Sequence, residues 1–183
     1  MKNALMIDLA SVKCLAEEQM VRELRRVRAE YPQEHIYAGM FFLFYGDGER
    51  LYWPCVAVGT EESLAKVQEQ YLARGGDGDP ATLRFSAADL PHMAEPDEKE
   101  AGLAVEASNE AAALGDEDAW GEYYDRFVAV FPEAARAARR RAVAEGLIDE
   151  ECVLLALDED LELLRASLTR EQLASHFPEL LDA

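Results

Sequence analysis

Residues 35–60 read HIYAGMFFLFYGDGERLYWPCVAVGT and contain the best-determined secondary structure in the sequence. Two runs rich in aromatic and aliphatic residues flank a short Gly-Asp-Gly segment, a pattern typical of two antiparallel strands joined by a turn. The first run is apolar on both faces at residues 41–44, so we expect a central strand covered on each side. Pro54 lacks an amide donor, which places the second run at a sheet edge or a bulge. The sequence therefore predicts a β-hairpin at the centre of a sheet.

Helical patterns surround this hairpin. Apolar residues recur at near-helical spacing over residues 3–31, and Pro32 ends the pattern. The Thr-Glu-Glu sequence at 60–62 predicts the N-terminus of a second helix, which stops at the glycine pair 75–76. We expect residues 81–85, ATLRF, to add a short third strand to the hairpin.

The second half of the chain is mostly helical in pattern. Two helices are predicted at 97–114 and 118–131, and a further helix after a break at Pro132 ends near Gly146. Residues 151–160, ECVLLALDED, read as a fourth strand, and the remainder as one or two short helices. The predicted fold class is α+β: a small, mostly antiparallel sheet built on a central β-hairpin, packed with several helices, with a helical C-terminal half.

The length of 183 residues predicts a single domain over 1–183. Within it we distinguish an N-terminal helix and hairpin part, about 1–93, from an acidic, mostly helical part, about 94–183. Half of the residues are apolar, which is typical of a globular protein rather than a disordered one.

The net charge is strongly negative, with 18 Lys and Arg against 37 Asp and Glu, or −19. Such a charge argues against direct binding to nucleic acid or to an anionic membrane, because phosphates require neutralisation by Lys and Arg. It favours a basic partner. The acidic residues concentrate in two segments, 95–125 and 145–162.

The N-terminal sequence and the cysteines indicate a cytoplasmic protein. Asp8 interrupts the first apolar stretch, so no signal-peptide core is predicted, and no run is long enough to cross a bilayer. Cys14, Cys55 and Cys152 are odd in number and distant in sequence, which favours free, buried thiols.

Motifs for catalysis, cofactors and metals are absent from the sequence. The three histidines, His35, His92 and His176, lie far apart and are interpreted as surface or helix-end residues. We predict no catalytic residue, no cofactor and no metal site. Two arginine clusters are expected to pair with neighbouring carboxylates, and an anion site between them is the alternative. They are Arg22, Arg25, Arg26 and Arg28, and Arg136, Arg139, Arg140 and Arg141.

A leading helix, then IYAGMFFLFYGDGERLYWPCVAVGTEESL, then RFSAADLP form an ordered set of features. With them the chain resembles an uncharacterised bacterial family, domain-of-unknown-function family 4303, over about residues 1–95. The chain departs from the family pattern at Gly59, Phe85 and Leu90. The matching positions are Tyr37, Ala38, Tyr45, Asp47, Pro54, Ala57, Thr60, Glu61, Glu62, Leu64, Arg84 and Ser86. The resemblance implies a bacterial origin and a compact α+β fold, and it implies no catalytic residues.

The first functional hypothesis is a binding protein, specifically an immunity protein that docks onto a basic toxin domain. Some small acidic α+β families are encoded beside toxins as their immunity proteins, and complementary charge speeds association. The candidate partner-binding residues combine carboxylates with aromatic anchors. They are Asp116, Glu117, Asp118, Trp120, Glu122 and Tyr123. The alternative for this stretch is a solvated helix whose aromatic side chains face the core.

Two other hypotheses remain open. One is a small-ligand protein or an enzyme that uses a cleft beside the hairpin, with Tyr52, Arg84 and His92 as its polar groups. The other is a homo-oligomeric scaffold that associates through the exposed side of the hairpin or an edge strand.

Overall fold

The computed structural model describes residues 7–181, which form four strands and eight α-helices. The strands are β1 (Ile36–Phe42), β2 (Cys55–Thr60), β3 (His92–Ala94) and β4 (Val153–Ala156). The helices are α1 (Leu9–Glu30), α2 (Glu61–Ala73), α3 (Pro80–Leu83), α4 (Glu98–Ala112), α5 (Glu117–Val128), α6 (Val130–Ala144), α7 (Glu162–Ser167) and α8 (Arg170–His176). Short 3₁₀ turns lie at Ala87–Asp89 and Pro178–Leu180.

The four strands form one sheet in the order β3-β2-β1-β4. β1 pairs antiparallel with β2, and β2 pairs antiparallel with β3, whereas β4 runs parallel to β1. Every residue of β1 is buried, as expected for a central strand covered on both faces. The predicted α+β class with a mostly antiparallel sheet is confirmed.

Each face of the sheet carries its own core, because successive side chains of a strand point to opposite faces. Side chains from α1, α4, α5 and α6 pack on one face, against Phe41 and Val56 among others. Side chains from α2 and α7 pack on the other face, against Met40 and Ala57 among others. Gly39 permits close contact with α1, since a Cβ there would lie 2.8 Å from the Met20 sulfur.

Two expectations about the strands are wrong. β2 is not an edge strand, since it pairs on both sides, and Pro54 lies just before its first residue. Residues 81–85 do not form a strand, because Asp79 caps a helical turn that begins at Pro80. The third strand is instead β3, which is only three residues long.

The helix predictions agree with the structure apart from their ends. α1 begins at Leu9, and residues 1–6 of the predicted helix lie outside the described part of the chain. Thr60 and Ser63 form the capping box that opens α2. The break predicted at Pro132 lies at Ala129, and Pro132 occupies the first turn of α6, where its missing N–H removes no helical hydrogen bond.

Two further findings concern the membrane and the thiols. Between residues 7 and 181, none of the helices combines the length and apolar character needed to cross a membrane. All three cysteines are free thiols. Cys152 is buried, but Cys14 is exposed on α1, so the expectation that all three are buried is wrong.

Candidate functional site

The candidate site forms where α5 packs on the connection between β1 and β2, residues 43–54. Asp116 opens α5, and its side chain accepts a hydrogen bond from the Asp118 amide at 3.2 Å. Trp120, one turn further on, lies against Gly46, where a Cβ would approach the indole to 2.7 Å. The Trp120 ring also stacks on Tyr124, with 5.6 Å between the ring centroids. These contacts bring two segments about 70 residues apart in sequence against each other.

Two open grooves lie on either side of Trp120, with volumes of about 730 and 680 Å³. Within the part of the chain that the structure describes, no Lys, Arg or His lines either groove. We refer to the seven carboxylates that line them as the acidic surface. They are Asp47, Glu49, Asp116, Glu117, Asp118, Glu122 and Asp125.

Asp47 is one of four residues that line both grooves. Its carboxylate accepts hydrogen bonds from the backbone amides of Arg50 at 2.6 Å and Glu49 at 3.0 Å. These hydrogen bonds, that of Arg50 foremost, hold the pKa of Asp47 below its usual value. Asp47 is therefore a fixed negative charge at neutral pH.

The structure brings together five of the six residues predicted to bind a partner. Asp116, Glu117, Asp118, Trp120 and Glu122 all line the grooves.

Tyr123, the sixth, does not line the grooves, because its hydroxyl donates to Glu110 at 2.8 Å. Burial and then this hydrogen bond raise the pKa of Tyr123. The aromatic side chains of α5 are divided: Phe127 is fully buried, as the core interpretation predicts, whereas Trp120 is only partly covered.

Sequence reasoning missed three members of the acidic surface. Asp125 lies one turn after Glu122 on the same helix, so helical spacing could have identified it. In the sequence, Asp47 and Glu49 belong to the segment that predicts a turn, and nothing there marks them as binding residues. No local pattern links them to α5, because the link depends on how Trp120 packs against Gly46.

The three residues predicted for a small-ligand cleft do not line one common cleft. Arg84 lies 2.5 Å from Glu61 and stands over the ring of Tyr37. His92 lies 2.7 Å from Glu34. Tyr52 belongs instead to the 43–54 connection, at the opposite end of β2.

His92 is also not the surface residue that was expected, because it is 7% exposed. It belongs to β3, and its ring packs on Tyr31, with 4.4 Å between the centroids. Its partner Glu34 also accepts a hydrogen bond from the Thr60 hydroxyl at 2.7 Å. The Thr60 hydroxyl is thus bonded to the carboxylate and not to the imidazole, so it is not arranged as a nucleophile with His92 as its base.

The expectation that the two arginine clusters pair with carboxylates holds only in part. Arg22, Arg25, Arg26 and Arg141 do so, whereas Arg28, Arg136 and Arg139 donate to backbone carbonyl oxygens. Arg25 and Arg141, one from each cluster, both donate to Glu145, at 2.7 and 3.0 Å. Arg25 and then Arg141 lower the pKa of Glu145. The position of the alternative anion site between the clusters is therefore filled by Glu145.

A separate cleft of about 540 Å³ lies between α4 and the 43–54 connection. We call it the apolar cleft, because Leu51, Trp53, Ala104 and Val105 form much of its wall. Tyr52 lies at this cleft, beside the hairpin as the ligand hypothesis expects, but Arg84 and His92 do not. Among the described residues, no group of three or more His, Cys, Asp or Glu side chains is placed to hold a metal ion.

No family model, no curated protein and no solved structure matches this chain. The resemblance to domain-of-unknown-function family 4303 stays a prediction.

Proposed function

We propose that this chain is a non-enzymatic binding protein of the bacterial cytoplasm, an immunity protein whose acidic surface docks onto a basic toxin domain. The observation that carries the proposal is the convergence of seven carboxylates from two distant segments on adjoining grooves that no cation of residues 7–181 lines. If α5 were only a solvated helix, Asp47 and Glu49 of the 43–54 connection would not lie beside its carboxylates.

Electrostatics supports a basic partner for this surface. Carboxylates gathered in a groove produce a focused negative potential, which raises the rate of encounter with a basic protein and orients it. Trp120 lines both grooves, and tryptophan is enriched among the residues that dominate binding energy at interfaces. The arrangement thus combines steering charges with an aromatic anchor.

The test is to examine the neighbouring reading frame for a secreted protein with a basic C-terminal domain, and to co-express that domain with this chain in bacteria. We expect a stable complex and protection from growth arrest. In the variant Asp116→Asn, Glu117→Gln, Asp118→Asn and Glu122→Gln, we expect the association rate at low salt to fall by about tenfold or more. Asn still caps α5 in place of Asp116, so the helix should persist.

The matched control neutralises four exposed carboxylates elsewhere: Asp149→Asn, Glu150→Gln, Glu151→Gln and Glu159→Gln. Both variants change the net charge equally, so a specific role of the acidic surface requires that the control associate at nearly the wild-type rate. If the association rate falls equally in the two variants, the effect depends on net charge alone. Absence of both complex and protection would end the immunity proposal.

A further inference from the structure

The apolar cleft is continuous with the acidic surface, because Glu49 and Ala112 line both the cleft and one of the acidic grooves. Its volume of about 540 Å³ is large enough to accept a buried side chain or a small molecule. An occupant of the cleft would therefore lie directly beside the carboxylates.

Apolar surface is exposed at the rim of this cleft. Val105 is 59% exposed on α4, and Tyr52 is 41% exposed on the opposite wall. The Tyr52 ring in turn contacts Tyr45, which is 57% exposed, with 5.4 Å between the centroids. Contiguous exposed apolar groups of this kind mark sites of protein interaction.

The cleft is held in shape by hydrogen bonds behind its walls. The Ser108 hydroxyl accepts from the Leu51 amide at 2.8 Å, and the Trp53 indole donates to the buried Gln19 at 2.9 Å. Since these groups are already ordered, an entering side chain meets a formed cavity and little entropy is lost in the protein.

We propose that the apolar cleft receives a large apolar side chain from a basic segment of the partner protein, while the cations of that segment lie along the acidic surface. The inference rests on the proposed function and adds what the partner segment must contain. The charge of the neighbouring surface selects this occupant. Arg50 also lines the cleft, but the seven carboxylates of the acidic surface outnumber it and would repel an anionic ligand. A second copy of this chain would bring another net charge of −19.

The experiment uses two short synthetic peptides of Lys and Arg that differ only in a central Phe or Ala. We expect the Phe peptide to bind about tenfold more tightly in fluorescence anisotropy, because a Phe side chain leaves water on binding. NMR supplies a second measurement, since the chain has only two tryptophans. Both peptides should shift the indole N–H signal of Trp120, and only the Phe peptide should shift that of Trp53.

Ala101→Leu fills the cleft from the exposed face of α4 and should abolish the advantage of the Phe peptide. Ala65→Leu is the matched control, an exposed alanine of α2 on the other side of the sheet, and should leave that advantage intact. Equal affinity of the two peptides, or a Trp53 signal that neither moves, would overturn the inference while leaving the proposed function in place.

A different binding result would contradict the proposed function. Both peptides would then bind the variant with neutralised Asp116, Glu117, Asp118 and Glu122 as tightly as they bind the wild type. Because the apolar cleft is offered as part of that same interface, this result would remove the inference as well.

Discussion

Glu34 precedes β1 in the sequence, and its side chain lies beside Thr60 at the N-terminus of α2. This side chain is only 11% exposed. Burial opposes its ionisation, but hydrogen bonds from Thr60 and His92 outweigh that effect, so the pKa of Glu34 lies below its ordinary value of 4.5. Glu34 is therefore a buried charge that stabilises the fold only while it is ionised. It joins the chain before β1 to the last residue of β2 and to β3.

Glu34→Gln should destabilise the fold by about 1–3 kcal/mol at pH 7, because a buried hydrogen-bonded charge is lost. A lowered folded-state pKa stabilises the protein above the unfolded value of 4.5, and this contribution disappears as the pH falls through the lowered pKa. Urea unfolding of the wild type and of Glu34→Gln should therefore give free energies of unfolding whose difference narrows below about pH 4. The control Glu69→Gln, at an exposed position of α2, should have little effect at either pH. A difference independent of pH would contradict this account of Glu34.

Gly46 lies in the 43–54 connection and Gly121 in α5, and the stability of the protein should respond in opposite directions when each is replaced by alanine. A Cβ at Gly46 would lie 2.7 Å from Trp120, so Gly46→Ala should destabilise the protein by about 1–3 kcal/mol and shift the connection away from α5. A Cβ at Gly121 meets nothing within 4 Å, and Gly121→Ala should stabilise α5 by about 0.5–1 kcal/mol. Thermal unfolding of the two variants checks whether the first is less stable, and the second more stable, than the wild type. Stabilisation by Gly46→Ala would mean that Trp120 does not pack against the connection.

Among the elements that hold the 43–54 connection, α4 bonds it at Leu51. Ser108 on α4 accepts the hydrogen bond of the Leu51 amide, and both residues are buried. Ser108→Ala would leave that amide without its partner, so we expect a loss of about 1–3 kcal/mol in urea unfolding and faster hydrogen exchange at Leu51. Ser175→Ala, at an exposed position of α8, is the control. Unchanged exchange at Leu51 would show that α4 does not hold the connection.

At this scale, sequence patterns predict the long elements well and the short ones poorly. The aromatic and aliphatic runs of β1 and β2 and the periodicity of α1 are signals that extend over many residues. β3 is three residues long, which is too short for a periodic pattern, and its place is fixed by pairing with β2. The composition of ATLRF fits a strand, so the sequence predicts the third strand there, whereas in the structure Asp79 caps this segment as a helical turn.

Over the whole molecule, the acidic segment 95–125 divides between two roles. At its start, Glu100 is fully buried and accepts two hydrogen bonds from Arg22, which joins α4 to α1. Its end, from Asp116 onward, faces solvent in the grooves. Charge counting along the sequence predicts where acidic residues accumulate but not which of them are paired inside the fold. The acidic surface could be predicted only for its α5 half.

A net charge of −19 and the native contacts of the carboxylates make opposite predictions in acid. Repulsion among acidic residues would be relieved by protonation, so stability would rise as the pH falls. Carboxyl groups whose folded-state pKa is lowered have the opposite effect: the stability they contribute above their ordinary pKa of 3.8 or 4.5 is lost as the pH falls through the lowered values. The groups with lowered pKa values are Asp8, Glu34, Asp47, Glu61, Asp97 and Glu145.

We expect the native contacts to dominate, because these carboxylates hold helix N-termini, the α2 junction and the contact between α1 and α6. The urea midpoint should stay nearly constant from pH 7 to about pH 5 and then fall steadily below about pH 4.5. A midpoint that rises between pH 5 and pH 4 would mean that repulsion within the acidic surface limits stability. Added salt separates the two cases, since it screens repulsion between exposed charges much more than it weakens the buried pairing of Glu34.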